Sequence, residues 1–178
     1  AVVSSHRKTV RKKRREMSMP TVALVGYTNA GKSTLLNALV DAHQVVRDSL
    51  FTTLDTLSKR LVLPNHQVVV LSDTVGFLYK LPHHLIEAFK ATLEEVVESD
   101  LLIHVLDVSQ SQVYEHSRAV IEVLKELKAD KKPMIVALNK IDLLEDKTWL
   151  ERIKADFTYV VVISAKLKQN LDILINAI

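Results

Sequence analysis

The chain has 178 residues, of which 48% are hydrophobic and none is cysteine, and its formal net charge is +3. This length and composition predict one globular domain with a substantial core, and they exclude a disordered tail, a disulfide framework and thiolate chemistry. No apolar run approaches the roughly 18 residues that span a bilayer and no secretory leader is visible, so we expect no membrane contact and a cytoplasmic location, with an organelle matrix left open.

Positive charge is concentrated at the start of the chain. Residues 1–19 hold seven basic groups and one acidic group, whereas the other 159 residues hold 17 basic and 20 acidic groups. A basic run of this kind either contacts the phosphates of RNA or forms a solvated linker, and the sequence leaves both open. Pro20 separates this basic arm from the first apolar run. We therefore predict a linker over residues 1–19 and a folded domain over residues 20–178.

After Pro20, apolar runs alternate with helix-like stretches. Most of the apolar runs are near-continuous Val, Ile and Leu, which is typical of strands buried on both faces of a parallel sheet. The predicted strands are Thr21–Gly26, Lys59–Leu63, Gln67–Ser72, Leu101–Asp107, Met134–Asn139 and Tyr159–Ile163. The predicted helices are Lys32–Val40, His84–Glu98, Val113–Lys128, Lys147–Ala155 and Asn170 onward.

The second and third predicted strands have no helix between them. Pro64 and Asn65 stand at their junction, and this pair of residues indicates a hairpin turn. The sequence therefore predicts an α/β fold, a doubly wound and mainly parallel six-stranded sheet with one antiparallel edge strand.

Glycine is unusually scarce in this chain. Average usage of about 7% would place roughly a dozen glycines here, and the chain has three, Gly26, Gly31 and Gly76. Each falls inside a sequence motif described below. We interpret them as positions where the backbone approaches a phosphate closely or adopts a positive φ.

The first motif lies between the first predicted strand and the first predicted helix. Gly26 to Ser33 matches G-x-x-x-x-G-K-[ST], the P-loop pattern, whose backbone N–H groups cradle the α- and β-phosphates of a nucleotide. We expect Lys32 to reach the β- and γ-phosphates and the Ser33 hydroxyl to ligate Mg²⁺. The predicted nucleotide contacts here are Gly26, Tyr27, Thr28, Asn29, Ala30, Gly31, Lys32, Ser33 and Thr34.

The second motif, Asp73-Thr74-Val75-Gly76, follows the third predicted strand. A carboxylate at the end of a strand beside the P-loop suits the Mg²⁺ shell, and we expect Asp73 to act through a bound water. The Gly76 N–H is predicted to bind the γ-phosphate, so that loss of this phosphate would release the segment that follows. Thr74 and Val75 complete the predicted contacts of this motif.

A third motif, Asn139-Lys140-Ile141-Asp142, follows the fifth predicted strand and indicates a guanine site. The Asp142 carboxylate can accept hydrogen bonds from N1–H and the 2-amino group of guanine. Adenine offers neither donor, and a site built in this way can discriminate by about 10⁴-fold. We expect Lys140 to lay its aliphatic stem on the base and Asn139 to tie this loop to the P-loop. Asp142 therefore disfavours an enzyme that uses ATP.

The fourth motif, Ser164-Ala165-Lys166, follows the last predicted strand, where the Ala165 N–H is expected to meet guanine O6. The P-loop by itself indicates a nucleoside triphosphate without saying which one, and Asn-Lys-x-Asp alone can occur by chance. Four of them in this order, each at the end of a predicted strand, predict that the chain binds GTP and GDP.

With these motifs in order, the chain resembles the translation-factor-related class of P-loop GTPases, and within that class it is similar to the HflX family. The stretches that carry the resemblance are Tyr27–Asn29, Phe51–Asp55, Asp73–Phe77, Lys80–Leu85, Glu87–Val96 and Asp100–Asp107. Two positions depart from the family pattern. Thr56 stands where the family usually has proline, and Lys168, Gln169 and Asn170 stand where it commonly has a glycine pair.

The resemblance implies a GTPase that binds the large ribosomal subunit and helps to split or rescue ribosomes or to assemble them, and it implies that residues 1–19 end a helical arm from an N-terminal domain missing here. We expect a Mg²⁺-dependent monomer. One hydroxyl of Thr52 and Thr53 should complete the Mg²⁺ shell, and the resemblance favours Thr53, with Phe51 also beside the nucleotide. Lys32, Thr53 and Gly76 are then the expected catalytic residues.

Phe77 occupies the place where many GTPases have the glutamine that orients the attacking water. We therefore expect slow intrinsic hydrolysis that a partner or a monovalent cation raises. Asn29 is a candidate K⁺ ligand, because related GTPases with asparagine there can use potassium, and the alternative is that it only hydrogen-bonds within the P-loop. An alternative function also stays open, a GTP-gated module for RNA or protein assembly in which hydrolysis is incidental.

Overall fold

The computed structural model describes residues 19–42, 58–74 and 93–178. Its strands are β1 Thr21–Val25, β2 Ser58–Val62, β3 Val68–Asp73, β4 Leu101–Asp107, β5 Met134–Asn139 and β6 Val160–Val162. The helices of these three stretches are α1 Lys32–Ala42, α2 Val113–Glu126, α3 Lys147–Ala155 and α4 Leu171–Ala177, with a 3₁₀ turn over Ile141–Leu143 and a helical segment over residues 93–98.

The six strands form one sheet in the order β2-β3-β1-β4-β5-β6. β2 pairs antiparallel with β3, and every other neighbouring pair is parallel. The predicted fold class is confirmed, including the single antiparallel strand at one edge.

The helices lie on both faces of the sheet because the strands bury side chains on both. Ile103 and Val105 of β4 pack in a cluster with Leu35 of α1 and Leu174 of α4. The alternate residue Leu102 packs in a second cluster with side chains of α2 and of residues 93–98, and α3 covers a third cluster beside it. Such two-sided burial explains the near-continuous apolar runs.

Several predicted boundaries differ from the observed ones by one or two residues, and the end of α2 differs for a local reason. α2 ends at Glu126 and not at Lys128, because Lys128 has a φ of 56° and cannot continue a right-handed helix. The Ala129 N–H then donates to the Leu124 carbonyl at 2.8 Å, which satisfies one of the last carbonyls of the helix. β6 is also shorter than predicted, at three residues.

The parallel arrangement brings the loops with sequence motifs to one edge of the sheet. In the strand register Leu24 of β1 stands beside Asp73 of β3, and Asp107 of β4 stands beside Asn139 of β5. The carboxyl ends of β1, β3, β4 and β5 therefore meet at the place where open α/β sheets bind ligands. Across the described stretches, none of the helices has the length and apolarity needed to cross a membrane.

Candidate nucleotide-binding site

The loop between β1 and α1 has two residues in the left-handed region of backbone space. Asn29 has a φ of 59° and Gly31 a φ of 98°. A Cβ added at Gly31 would clash with Nδ2 of Asn139. Position 31 thus combines a positive φ with a close neighbour where a Cβ would stand, and only glycine tolerates both without strain.

Gly26 is needed for a reason that the sequence did not indicate. A Cβ at this position would lie 2.5 Å from the backbone oxygen of Val105 in β4, and its φ is not positive. The expectation that the glycines serve phosphate approach or positive φ is therefore incomplete. Gly26 lets the start of the P-loop pack against the neighbouring strand.

Lys32 folds back across this loop from the first turn of α1. Its Nζ donates to the carbonyl oxygens of Gly26 and Tyr27, each at 3.1 Å, and the residue is only 6% exposed. Burial lowers the pKa of Lys32, and the nearby Asp73 carboxylate acts in the opposite direction. The ammonium group is thus held inside the concave loop, where a phosphate would be its counter-charge.

Ser33 and Asp73 meet beside Lys32. The Ser33 hydroxyl donates to Asp73 Oδ2 at 2.5 Å. Asp73 Oδ1 is buried and has no hydrogen-bond partner within the described part of the chain, which for a carboxylate oxygen calls for an explanation. A hydroxyl oxygen and a carboxylate oxygen at the mouth of the loop fit a hard divalent cation such as Mg²⁺.

The side chain of Thr74 is directed elsewhere. Its hydroxyl donates to the carbonyl oxygen of Leu24 at 2.6 Å, and the residue is buried. Thr74 therefore ties the end of β3 to β1, and any contact of this residue with a nucleotide would come from its backbone.

Asn139 joins three loops. Its Nδ2 donates to the carbonyl of Ala30 in the P-loop at 2.9 Å, and its Oδ1 accepts from the N–H of Ala165 at 3.0 Å. The predicted tie between this loop and the P-loop is present. Asn139 Oδ1 already accepts from the Ala165 N–H. Guanine O6 would therefore have to share this donor or accept from a different one.

Asp142 lies in the 3₁₀ turn after Lys140 and is fixed by the loop that follows β6. Its Oδ1 accepts a hydrogen bond from the Ser164 hydroxyl at 2.6 Å, and Ser164 Oγ accepts in turn from the Leu167 N–H at 3.1 Å. These two hydrogen bonds hold the Asp142 carboxylate at the edge of the site when no base is bound. Lys166, two residues after Ser164, is exposed.

The loop after Ser164 explains one departure from the family pattern. Lys168 has a φ of 56° and Asn170 a φ of 57°, the backbone region that glycine adopts most easily. Asn170 does not cap α4 with its side chain. Its Nδ2 donates to the carbonyl of Val162 instead, at 2.8 Å. Lys168 and Asn170 therefore adopt the left-handed backbone conformation of this loop without being glycine.

Lys140 makes contacts that the sequence did not predict. Its Nζ donates to the carbonyl of Asn29 at 2.9 Å and to Asp107 Oδ2 at 2.6 Å. Asp107, at the end of β4, closes the stretch Asp100–Asp107 that carries the family resemblance, but it belongs to none of the four motifs and was given no role. Its place at the carboxyl end of a predicted buried strand beside β5 was the one usable indication.

A cavity of about 260 Å³ lies next to this pair. The first half of the P-loop, the end of β4 and Lys140 line it. On one side Tyr27 stacks on His116 of α2, with ring centroids 4.0 Å apart and ring planes within 7°. The P-loop is thereby packed against α2 as well as β4.

His104 lies in β4 and is fully buried. Burial and the Lys32 charge lower its pKa to about 4, so the ring is neutral at pH 7. Several other predicted residues lie outside the described stretches. These are the basic residues of the arm up to residue 18, and Phe51, Thr52, Thr53, Val75, Gly76 and Phe77.

A protein-family model described as "50S ribosome-binding GTPase" matches residues 21–140. The GTPase HflX of Caldanaerobacter subterraneus is 49% identical over 176 residues, which is 99% of this chain and 40% of that protein. The GTPase HflX of Escherichia coli K12 is 46% identical over 144 residues, which is 81% of this chain and 34% of that protein. The chain thus spans about two fifths or less of these curated relatives.

Solved structures show the same fold. A GTP-binding protein from Sulfolobus solfataricus in complex with GDP superposes with a TM-score of 0.70 and 28% identity, over 98% of this chain and 57% of that one. Era in complex with MgGDPNP and a segment of 16S ribosomal RNA superposes with a TM-score of 0.67 and 26% identity, over 89% of this chain and 55% of that one.

Proposed function

The chain is a GTP-binding GTPase domain that belongs to the family of 50S ribosome-binding GTPases and is similar to the GTPase HflX, and we propose that it is a slow GTPase switch that associates with the large ribosomal subunit. The observation that carries the proposal is the junction at Asn139. This residue joins the P-loop, the loop of Lys140 and Asp142, and the loop of Ala165, so one side chain holds the phosphate half and the base half of a nucleotide site in register.

In this proposal the base is guanine. The Ser164 hydroxyl holds the Asp142 carboxylate in place, so little rotamer freedom is lost when guanine N1–H and its 2-amino group bind. With adenine, the carboxylate would be desolvated without gaining either hydrogen bond, and that asymmetry is the basis of discrimination.

Lys32 and the N–H groups of the P-loop bind the phosphates. The residues that would hold Mg²⁺ are Ser33 directly, Asp73 through a water, and Thr53 of the undescribed segment. The orphaned Asp73 Oδ1 supports this assignment. A bound Mg²⁺ would neutralise the charge that develops on the phosphates during transfer.

Hydrolysis is slow without an activator, because Phe77 has neither a donor nor an acceptor for the attacking water. Asn29 is exposed at the rim of the P-loop with a left-handed backbone, which suits a ligand of a monovalent cation. Equal rates of GTP turnover in potassium and in sodium would show that Asn29 has no role as a ligand of an activating cation.

The large ribosomal subunit is the proposed partner because the matching family is described by that binding. The second candidate, a GTP-gated RNA-binding module, is supported by the likeness to Era, whose solved structure contains ribosomal RNA. The basic arm of residues 1–19 suits RNA in either case. We propose a cytoplasmic monomer.

The test is GTP turnover by the 178-residue chain with and without purified large subunits, at fixed Mg²⁺ and salt. Small subunits at equal concentration are the matched control for RNA charge, and Asp142→Asn is the control for the nucleotide site. The proposal predicts stimulation by the large subunit alone. GTP-dependent binding to the subunit without stimulation would favour the module, and stimulation by both subunits would show a nonspecific RNA effect.

A further inference from the structure

We propose that Asp107 is a positioning residue that holds Lys140 in its base-binding place and thereby sets how fast the nucleotide dissociates. This inference rests on the proposed function, because it assumes that guanine nucleotides bind at this site. It concerns a residue outside the four sequence motifs.

The contacts of Lys140 show what Asp107 does. The Lys140 ammonium is shared between the carbonyl of Asn29 at 2.9 Å and Asp107 Oδ2 at 2.6 Å. One acceptor lies in the P-loop and the other at the end of β4, so the Lys140 side chain reaches from the end of β5 to both. Lys140 also has a φ of 69°, an unfavourable backbone conformation that the surroundings must maintain.

The carboxylate of Asp107 is itself held in position. Its Oδ1 accepts from the N–H of Ser109 at 3.0 Å and from the Ser109 hydroxyl at 2.6 Å, which leaves Oδ2 to Lys140. Its side chain is 8% exposed and that of Lys140 is 28% exposed. A charge pair with such limited water access is stronger than a surface pair.

Packing alone does not hold Lys140. Asp107 and Lys140 both line the cavity of about 260 Å³ beside the P-loop. The Lys140 side chain therefore has room to leave its place once the carboxylate is removed. We infer that the ion pair fixes the lysine stem on which the guanine ring is expected to lie.

The predicted effect falls on binding and not on chemistry, because Lys140 is expected to contact the base, which GDP and GTP share, and neither Asp107 nor Lys140 is a predicted contact of the γ-phosphate. An interaction made equally in the ground state and the transition state changes KM and leaves kcat unchanged. Loss of one charge-assisted hydrogen bond corresponds to roughly a tenfold change in affinity. Dissociation should therefore accelerate by about that factor.

The test variant is Asp107→Asn, whose single side-chain oxygen can serve Ser109 or Lys140 but not both. Ser109→Ala is the matched control, since it removes only the hydroxyl contact of Asp107 Oδ1 and keeps both the contact from the Ser109 N–H and the ion pair at Oδ2. Dissociation of a fluorescent GDP and a fluorescent GTP analogue is followed by stopped flow, with kcat at saturating GTP and the melting temperature of the nucleotide-free protein measured in parallel.

Asp107→Asn should release both nucleotides about tenfold faster with kcat unchanged, and Ser109→Ala should match the wild type. In the Lys140→Gln background, Asp107→Asn should add nothing, because the pair is already broken. Equal release by Asp107→Asn and the wild type would overturn the inference, as would an equal acceleration by Ser109→Ala. If Asp107→Asn does not fold, Asp107→Ser repeats the test. Failure of the wild type to bind either nucleotide would refute the proposed function instead.

Discussion

Replacing Asn139 by alanine tests the central junction of the site. The substitution keeps the backbone of β5 and removes two hydrogen bonds, to the carbonyl of Ala30 and from the N–H of Ala165. Asn139 is 2% exposed, and the two partner residues are 2% and 3% exposed. Both partner groups would therefore be left in a region that water reaches poorly.

The loss of folding stability in Asn139→Ala can be estimated from those two groups. A buried donor or acceptor that loses its partner costs about 1–3 kcal/mol. Two of them give about 2–6 kcal/mol, and because the vacated volume lets water approach, we expect a value of about 3 kcal/mol. In a domain of this size 1 kcal/mol moves the melting temperature by about 2–4 °C, so a fall of roughly 6–12 °C is expected.

The assay is thermal unfolding followed by circular dichroism, without nucleotide and with excess GDP. Asn37→Ala is the control, since Asn37 is an exposed asparagine of α1, and such surface changes stay within about 0.5 kcal/mol. The added stability from GDP, which depends on the ratio of its concentration to Kd, should also shrink in Asn139→Ala. A melting temperature within 2 °C of the wild type, roughly the shift of the control, would show that the junction is not what holds these loops.

Three further predictions follow from single contacts. Gly26→Ala places a methyl group 2.5 Å from the Val105 oxygen, so it should destabilise the nucleotide-free protein by about 1–3 kcal/mol in chemical unfolding, and unchanged stability would contradict the close packing. Asp73→Asn should raise the Mg²⁺ concentration needed for half-maximal GTP binding by about 10–100-fold, and an unshifted Mg²⁺ titration would disprove its role. His104 has a folded pKa of about 4, below the 6.5 of an unfolded histidine, so it lowers stability as the pH falls from 6.5 to 4, by up to about 3 kcal/mol. His104→Leu should remove that part of the pH dependence, and an equal fall in the free energy of urea unfolding between pH 7 and pH 4.5 in the wild type and in His104→Leu would refute the burial argument.

The strands were predictable where the chain buries both faces of the sheet. β4 and β5 have the predicted limits, because long runs of Val, Ile and Leu have no exposed face and end at a polar residue. The end of α2 was less predictable, since the left-handed backbone of Lys128 leaves no mark in a residue type that is a good helix former. Helix limits of this kind depend on packing beyond the helix.

The site was predictable where its chemistry is local. The positions of Lys32, Ser33 and Asn139 follow from motifs within single loops. Asp107 and Lys140 are 33 residues apart, and only the strand register brings them together. The need for glycine at position 26 likewise comes from a carbonyl of another strand. Such contacts with a strand far away in the sequence are what a sequence motif does not contain.

The most direct test of this account is equilibrium binding of GDP, GTP and ATP to the wild type and to Asp142→Asn, measured by calorimetry in the presence of Mg²⁺. The account predicts that both guanine nucleotides bind and that ATP binds at least about a thousandfold more weakly. Asp142→Asn should lose most of this preference, while Asn37→Ala keeps it. Equal affinity for ATP and GTP, unchanged by Asp142→Asn, would contradict the guanine site and with it the proposed GTPase switch.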